Sequence, residues 1–312
     1  MEKQIYSLII IGGGPAGMSA GIYASRQRIK TLLLTKDFGG QMAKKAVPIE
    51  NYPGFEKISA FDLISRMKNH LKKSEIEIKE GEEVISIEKE NEIFEVKTKK
   101  GNTYFSHSII VATGADPRKL KIPGEEEFLG KGVSYCVLCD GPLFKEKEVA
   151  VIGGGESGFE AAVALANWAK KIYILEFAKE VKASQKIQEE AKRTQKIEVI
   201  TQAKVKEIRG EKFVKEILFE DQKEKKDKIL KVNGVFVEIG TVPASNFLKG
   251  LVEFNEKGEI KVNPRTQETS LPGIFAAGDV TDNLFKQIVV AAGEGAKAAL
   301  SAYFYLKKKN LL

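Results

Sequence analysis

The sequence predicts an α/β chain of two related domains, each a three-layer sheet-and-helix unit, with the second inserted into the first. Three observations carry this. An apolar strand runs into a glycine-rich turn and a small-residue helix at residue 12, and the same succession returns at residue 153. Gly114-x-x-Pro117 and Gly240-x-x-Pro243 close corresponding strands in the two halves. After the second, the chain comes back to a strand ending in Gly278-Asp279 and a long helix, which complete the first domain rather than start a third. The expected domains are residues 1–116 with 246–312, and 117–245 between them.

A chain of 312 residues suits two medium domains better than one core. Hydrophobic content of 43% with 30% charged residues marks a soluble globular protein. The formal charge is +7, but acids and bases interleave, and Lys223-Glu224-Lys225-Lys226 reads as a solvated turn. No aromatic residues alternate with the basic ones, which argues against a nucleic-acid surface. The surplus instead favours an acidic protein partner by steering. No apolar run approaches the ~18 residues of a membrane span. The first 18 residues start like a signal peptide, with a lysine and then Leu8-Ile9-Ile10-Ile11, but the glycines and proline that follow do not fit a signal core. The stretch therefore reads as the first buried strand of a cytoplasmic protein.

Ser7-Leu8-Ile9-Ile10-Ile11 is apolar, as a central parallel strand covered on both faces must be. Gly12-Gly13-Gly14-Pro15-Ala16-Gly17 follows with the G-x-G-x-x-G spacing of a Rossmann-like domain. The first glycine permits the tight turn, the second lets a pyrophosphate approach the backbone, and the third lets the helix pack close with its N-terminus toward the phosphates. The next strand, 30–35, ends in Thr35, where an acid for the ribose ordinarily stands. Phe38-Gly39-Gly40-Gln41 and Glu50-Asn51-Tyr52-Pro53-Gly54 have turn composition. A helix is expected over about 60–72, with His70 on its surface. Residues 75–106 alternate apolar and charged and read as an antiparallel meander, followed by a buried strand that Gly114 and Pro117 stop.

In the second half, Val149-Ala150-Val151-Ile152 runs into Gly153-Gly154-Gly155-Glu156-Ser157-Gly158 and a helix over about 159–169. The strand at 172–175 ends in Glu176, 23 residues after Gly153 and close to the ~20 at which a ribose-binding carboxylate is expected. A charged meander over 199–230 leads to a strand that ends at Gly240. The returning strand offers Asp279 to a ribitol or ribose hydroxyl, and a long helix is expected from Gln287 to about Leu306.

Cys136-Val137-Leu138-Cys139-Asp140-Gly141 holds the chain's only two cysteines. A pair at this spacing closes and reopens a small disulfide; one thiol attacks a partner and the other resolves. The alternative is half a zinc site, which needs two more ligands, and the chain holds no other Cys and only His70 and His107. No metal site is expected, and the cysteines point to redox chemistry rather than a staple. Asp140 reads either as a turn residue before Gly141-Pro142 or as a general acid for the departing thiolate. Two dinucleotide folds without a metal constellation call for a bound flavin and an exchangeable nicotinamide, with the cysteines as the exit for electrons.

The whole chain resembles the low-molecular-weight thioredoxin reductases, and is similar, more closely in its second half, to the flavoprotein component of bacterial alkyl hydroperoxide reductase. The resemblance is carried by the turn at 12–17, Gly39-Gly40-Gln41, Glu50-Asn51-Tyr52, Ala112-Thr113-Gly114, Cys136-x-x-Cys139-Asp140-Gly141, Gly278-Asp279 and Lys286-Gln287-Ile288. It implies FAD in the discontinuous domain, NAD(P)H in the inserted one, and a homodimer. It implies that Cys139 faces the flavin and Cys136 exchanges with a thioredoxin- or glutaredoxin-like protein. FAD contacts are expected at Gly12, Gly14, Pro15, Ala16, Gly17, Thr35, Gly40, Gln41, Asn51, Thr113, Gly114, Gly278, Asp279, Lys286, Gln287 and Ile288. Nicotinamide-dinucleotide contacts are expected at Gly153, Gly155, Glu156, Ser157, Gly158, Glu176 and Gly240. The implied activity is FAD-dependent thioredoxin-disulfide reduction. The alternatives are an NADH-dependent reductase feeding a peroxiredoxin through a separate dithiol relay, and a family member with a non-nicotinamide donor. The break at Thr35 is one that this family shares.

Two departures stand out. NADPH-specific members carry a His-Arg-Arg cluster after the second ribose strand, whereas this chain has Leu175-Glu176-Phe177-Ala178, as in the NADH-using flavoprotein. A carboxylate accepts both hydroxyls of an unphosphorylated ribose. Set ~5 Å from a 2′-phosphate it repels each unit of charge by ~3 kcal/mol at an effective dielectric of about 20, with Lys179 and Lys182 nearby to soften this. NADH is therefore expected over NADPH. The hydroperoxide reductase flavoprotein also carries N-terminal thioredoxin-like modules; this chain begins at the first strand, so a relay is expected on a separate protein. Nicotinamide and cysteines on one domain must both meet one flavin, so the crossings near 114–119 and 240–246 are expected to hinge.

Overall fold

The computed structural model describes residues 4–44 and 49–312. Residues 1–3 and 45–48, which fall within the expected first domain, lie outside the described residues. In chain order the first half holds β1 (Ile5–Gly13), α1 (Pro15–Arg26), β2 (Thr31–Phe38), α2 (Ala60–Lys72), β3 (Glu77–Glu80), β4 (Val84–Glu90), β5 (Ile93–Thr98), β6 (Thr103–Val111) and β7 (Ala115–Pro117). The second holds β8 (Val133–Ser134), α3 (Val137–Asp140), β9 (Glu148–Ile152), α4 (Glu156–Leu165), β10 (Lys171–Leu175), α5 (Gln185–Arg193), β11 (Ile197–Ile200), β12 (Ala203–Gly210), β13 (Val214–Asp221), β14 (Lys226–Lys231) and β15 (Gly234–Val237). The chain then returns through β16 (Thr241–Pro243) to β17 (Ile274–Ala276) and α6 (Ile288–Lys309). It divides into two compact units, Met1–Asp116 with Val242–Leu312, and Pro117–Thr241.

The first unit is built on a sheet of order β3-β2-β1-β6-β5-β4, with β17 also on β6. Alternation sorts its apolar residues to two faces. Leu8, Ile10 and Leu33 pack against the alanine-rich faces of α1 and α6, while Ile9, Ile11, Leu32 and Leu34 meet Leu248, Val252 and Ile260 on the other side. Each such fully buried aliphatic side chain contributes about 1.5–3 kcal/mol. The helices lie close because α6 offers Gly295, where a Cβ would stand 2.0 Å from the Ala16 carbonyl oxygen.

The expected meander over 75–106 is only partly that. Glu77–Glu80 lies parallel to β2 and extends the dinucleotide sheet; only β4, β5 and the start of β6 are antiparallel. The two strands expected around residue 106 are one. β6 follows β1 along its length, while its other edge passes from β5 at residues 103–106 to β17 at 109–111.

The second unit has a parallel sheet of order β11-β10-β9-β15-β8, covered on one face by α4 and α5 and on the other by the antiparallel sheet β12-β13-β14. The charged meander thus starts at Ala203 rather than 199, because Ile197–Ile200 pairs parallel with β10. The helix Gln185–Arg193, which the sequence pattern did not announce, buries only Ala191 completely. The strand ends at Gly114 and Gly240 match in conformation, with φ of +72° and +92°. Among the described residues no helix is long and apolar enough to cross a membrane, and no group of three or more His, Cys, Asp or Glu could hold a metal ion.

Candidate functional site

The two glycine turns are near copies. Gly12 and Gly153 have φ of +118° and +119°, a region closed to most side chains. A Cβ would stand 2.2 Å from the Ala112 carbonyl oxygen at Gly12 and 2.5 Å from that of Glu238 at Gly153. At Gly17 and Gly158 it would stand 1.9 Å from the carbonyl oxygens of Gly12 and Gly153. At Gly14 and Gly155, by contrast, a Cβ would meet nothing within 4 Å. These two residues are the N-caps of α1 and α4, and neither helix has a side-chain cap. Each turn therefore presents uncapped amides and a helix dipole to open space, the cradle that a dinucleotide pyrophosphate needs. The residues present at each turn fit the pyrophosphate of a dinucleotide cofactor.

The turns differ in what supports the middle glycine. Thr35 backs Gly13: its hydroxyl donates to the Asp37 carbonyl at 2.5 Å, and a Cβ on Gly13 would stand 2.5 Å from it. Glu176 takes the equivalent place behind Gly154. Its Oε2 accepts from the Gly154 amide at 2.5 Å and its Oε1 from the Ala178 amide at 2.7 Å. Both oxygens are thereby fixed at the end of β10, with lone pairs left for a ribose. Phe177 beside it is 62% exposed. Glu156, at the start of α4, accepts from the Ser184 amide at 2.8 Å and hydroxyl at 2.9 Å. The Ser184 backbone hydrogen bond, then its hydroxyl, hold this carboxyl below the usual carboxylate range. Ser157 is exposed on the same first turn.

In the first unit, Gly40, Thr113 and Gly278 among the expected FAD residues lie against the first glycine turn and the start of α1. Gly40 lies against Gly14, where its Cβ would be 3.6 Å from the Gly14 Cα. Gly278, at φ +79°, faces Ala16, and its amide donates to Glu294 at 2.8 Å. This sets the partly exposed Asp279 beside the turn. Asn51 donates to the Gln287 side chain at 3.2 Å, at the N-cap of the helix that Ile288 begins. Gln41 donates to Asp116, and Thr113 to the Ala244 carbonyl at 2.7 Å. Lys286 acts as a brace: its ammonium pairs with Glu259 at 3.1 Å and donates to the carbonyls of Asp279 and Thr281 at 3.1 and 2.5 Å. Gly240 carries the backbone carbonyl that accepts from the Arg118 amide at 2.9 Å.

Cys136 and Cys139 form a disulfide across α3, with Cα atoms 5.4 Å apart. Both are partly exposed. Ser134 ties the motif together, accepting from the Cys136 amide at 3.0 Å and donating to Asp140 Oδ2 at 2.5 Å. Asp140 Oδ1 is buried without a hydrogen-bond partner. Tyr135 donates to the buried Glu125 at 2.8 Å; burial and this carboxylate together push the phenol well up. Gly141 packs on Trp168, 3.0 Å from where its Cβ would lie. Sequence reasoning missed Ser134 and Glu125. A serine two residues before a cysteine is the available signal for the first, since such hydroxyls bond backbone two residues on; Glu125 has none.

Glu238 follows β15 beside the second turn, with its amide on the Ile152 carbonyl at 2.9 Å. Burial, and then the charge of Glu160, push its carboxyl up to about 7 from 4.5. The folded state therefore keeps a proton that the unfolded chain releases above pH 4.5, so stability falls as pH rises from 4.5 to about 7, by about 3 kcal/mol in all. Urea unfolding of wild type and Glu238→Gln across that interval checks this: the variant's curve should be flatter by that amount, and parallel curves would refute it.

The model of the family described as pyridine nucleotide-disulphide oxidoreductase matches residues 6–295. Over 305 residues the chain is 42% identical to a component of the alkyl hydroperoxide reductase of Staphylococcus aureus (strain MRSA252), a span of 98% of this chain and 60% of that protein. The chain thus spans less than two thirds of that relative. Among solved structures it is similar to the thioredoxin reductase of Streptococcus pyogenes MGAS5005, with TM-score 0.91 and 36% identity over 98% of this chain and 100% of that one. It is also similar to the thioredoxin reductase of Giardia duodenalis, with TM-score 0.92 and 35% identity at the same coverage.

Proposed function

The chain belongs to the pyridine nucleotide-disulphide oxidoreductase family, and from that premise we propose that it is an FAD-dependent thioredoxin-disulfide reductase, passing electrons from NADH through Cys136 and Cys139 to a thioredoxin- or glutaredoxin-like protein. The observation that supports this best is the Cys136–Cys139 disulfide, closed in the unit that also holds the second glycine turn. Bound FAD supplies a carrier that takes a hydride from a nicotinamide and yields two electrons to a disulfide. Gly12, Gly14 and Gly17 with the α1 amides would hold its pyrophosphate, flanked by Pro15, Ala16, Thr35, Gly40 and Gln41. Asn51, Thr113, Gly114, Gly278, Asp279, Gln287 and Ile288 would line the rest, over the Lys286 brace. Gly153, Gly155, Ser157, Gly158 and Gly240 would receive the nicotinamide dinucleotide, with Glu156 clamping the loop at Ser184 and Glu176 on the ribose.

Two electrons and two protons convert the internal disulfide to two thiols. Cys136, as thiolate, attacks the partner's disulfide, forms a mixed disulfide and expels one partner thiol. Cys139 then attacks the Cys136 sulfur, remaking the internal bond and releasing the second partner thiol. Asp140 handles the proton of the thiol pair from its unpartnered Oδ1, held in place by Ser134 through Oδ2. Asp140→Asn should slow disulfide reduction about 10²-fold at pH 7 and leave flavin content unchanged; an unchanged rate would leave Asp140 as a turn residue only. The protein is proposed to be cytoplasmic and to work as a homodimer, which sedimentation tests.

The 42% identity to an alkyl hydroperoxide reductase component favours a second reading, in which the electrons go on through a further dithiol relay to a peroxiredoxin. Steady-state reduction of purified thioredoxin against such a relay decides: a higher kcat/KM with thioredoxin supports the first, and turnover with the relay alone replaces it.

A further inference from the structure

Three neighbouring strand ends carry the second glycine turn and its flanks, and their order decides which part of a dinucleotide meets which residue. β10, β9 and β15 lie side by side in that order. Glu176 follows β10, the glycine turn follows β9, and Glu238 follows β15. With a ribose on Glu176 and the pyrophosphate on the turn, the far half of the dinucleotide, the nicotinamide riboside, comes over the end of β15. Glu238 stands there. Its amide donates to the Ile152 carbonyl at 2.9 Å, and its own carbonyl oxygen is 2.5 Å from where a Cβ on Gly153 would lie. Phe236, two residues earlier, belongs to the core that Phe159 of α4 shares. Alternation therefore turns the Glu238 side chain to the α4 face as well.

The carboxyl is half-buried and takes no hydrogen bond among the described residues. Burial, and then the Glu160 charge on α4, act against its anion, so it keeps its proton up to about 7. The other charged groups on the elements around it are engaged elsewhere. Glu156 of α4 holds Ser184. Asp140 of α3 is tied to Ser134 on β8, the strand beside β15. Arg118 stands beside Gly240, its Nε 3.8 Å from where a Cβ there would lie, and does not act on Glu238. The meander strands cover the opposite face. We propose that Glu238 lies against the nicotinamide ring and distinguishes its oxidised form, a cation, from its neutral reduced form. Against the cation the carboxylate gains the partner that the chain withholds; against the neutral ring it keeps its proton. Binding of the oxidised nucleotide therefore releases a proton near pH 7 and strengthens as pH rises through that value. This rests on the nicotinamide-donor reading above.

Isothermal titration of the oxidised holoprotein tests this, with NAD⁺ against the unreactive tetrahydronicotinamide analogue, whose ring is neutral. The titrations are run at pH 6, 7 and 8, in two buffers of different ionisation enthalpy, so that protons released on binding are counted. NAD⁺ should bind about fivefold more tightly at pH 8 than at pH 6 and release roughly half a proton at pH 7. The analogue's affinity should stay level or fall over the same interval. Glu238→Gln keeps the shape and polarity but not the charge, and should abolish both the slope and the proton release. Equal slopes for the two nucleotides, no proton release from the wild type, or a slope that survives in Glu238→Gln would overturn the proposal. The wild-type proton count decides even if the variant does not fold. Absence of saturable binding by either nucleotide would instead remove the nicotinamide donor itself, and this proposal with it.

Discussion

Replacing Cys139 by serine abolishes NADH-driven reduction of a protein disulfide, a loss of roughly 10³-fold or more, while flavin content stays at the wild-type level. A hydroxyl cannot remake the sulfur–sulfur bond, so Cys136, having attacked the partner, has no resolving thiol. The Cys139→Ser protein should therefore accumulate as a covalent complex with a pre-oxidised thioredoxin-like partner once its own Cys136 is reduced. Cys136→Ser should lose turnover as completely and trap nothing. Non-reducing electrophoresis of the two variants separates them. The opposite pattern, with the complex on Cys136→Ser, would exchange the two roles. Both side chains are partly exposed, so burial alone does not choose between them. The variants should fold, because the sheet and the Ser134 and Tyr135 anchors around the motif do not depend on the disulfide.

The second large effect concerns the nicotinamide. Glu176 is held by two amides, at 2.5 and 2.7 Å, and cannot swing away cheaply from a 2′-phosphate. About 3 kcal/mol of repulsion per unit charge corresponds to roughly 10²-fold. Lys179 and Lys182 are exposed, and salt screens their help. The expected kcat/KM ratio is therefore about 10² in favour of NADH. Glu176→Gln keeps an acceptor for the loop amides but removes the charge, and should bring the ratio to within about tenfold. A wild-type preference for NADPH would refute the role given to Glu176.

The chemistry was legible in the sequence wherever it depends on short-range spacing. The two glycine turns and Glu176 lie at strand ends that the sequence predicts, whereas Thr35 lies inside β2, which runs on to Phe38, and the cysteine pair lies on a short helix, α3, that the pattern did not announce. What stayed hidden depends on neighbours distant in sequence. Glu77–Glu80 has the same alternation whether it pairs parallel or antiparallel, and only its place beside β2 decides. The helix Gln185–Arg193 is nearly all polar and leans on the sheet through Ala191 and little else. The part of Lys286 is set by Glu259 and two carbonyls, contacts that no motif encodes. Glu238 is conspicuous only once the order of β10, β9 and β15 is known.

The most direct test is an anaerobic titration of the purified protein with NADH, following the flavin absorbance and counting free thiols per chain after acid quench. The account predicts a yellow protein in which two thiols appear per chain, both lost in the double variant Cys136→Ser/Cys139→Ser. A protein that bleaches while its disulfide stays closed, or one that binds no flavin at all, would contradict it.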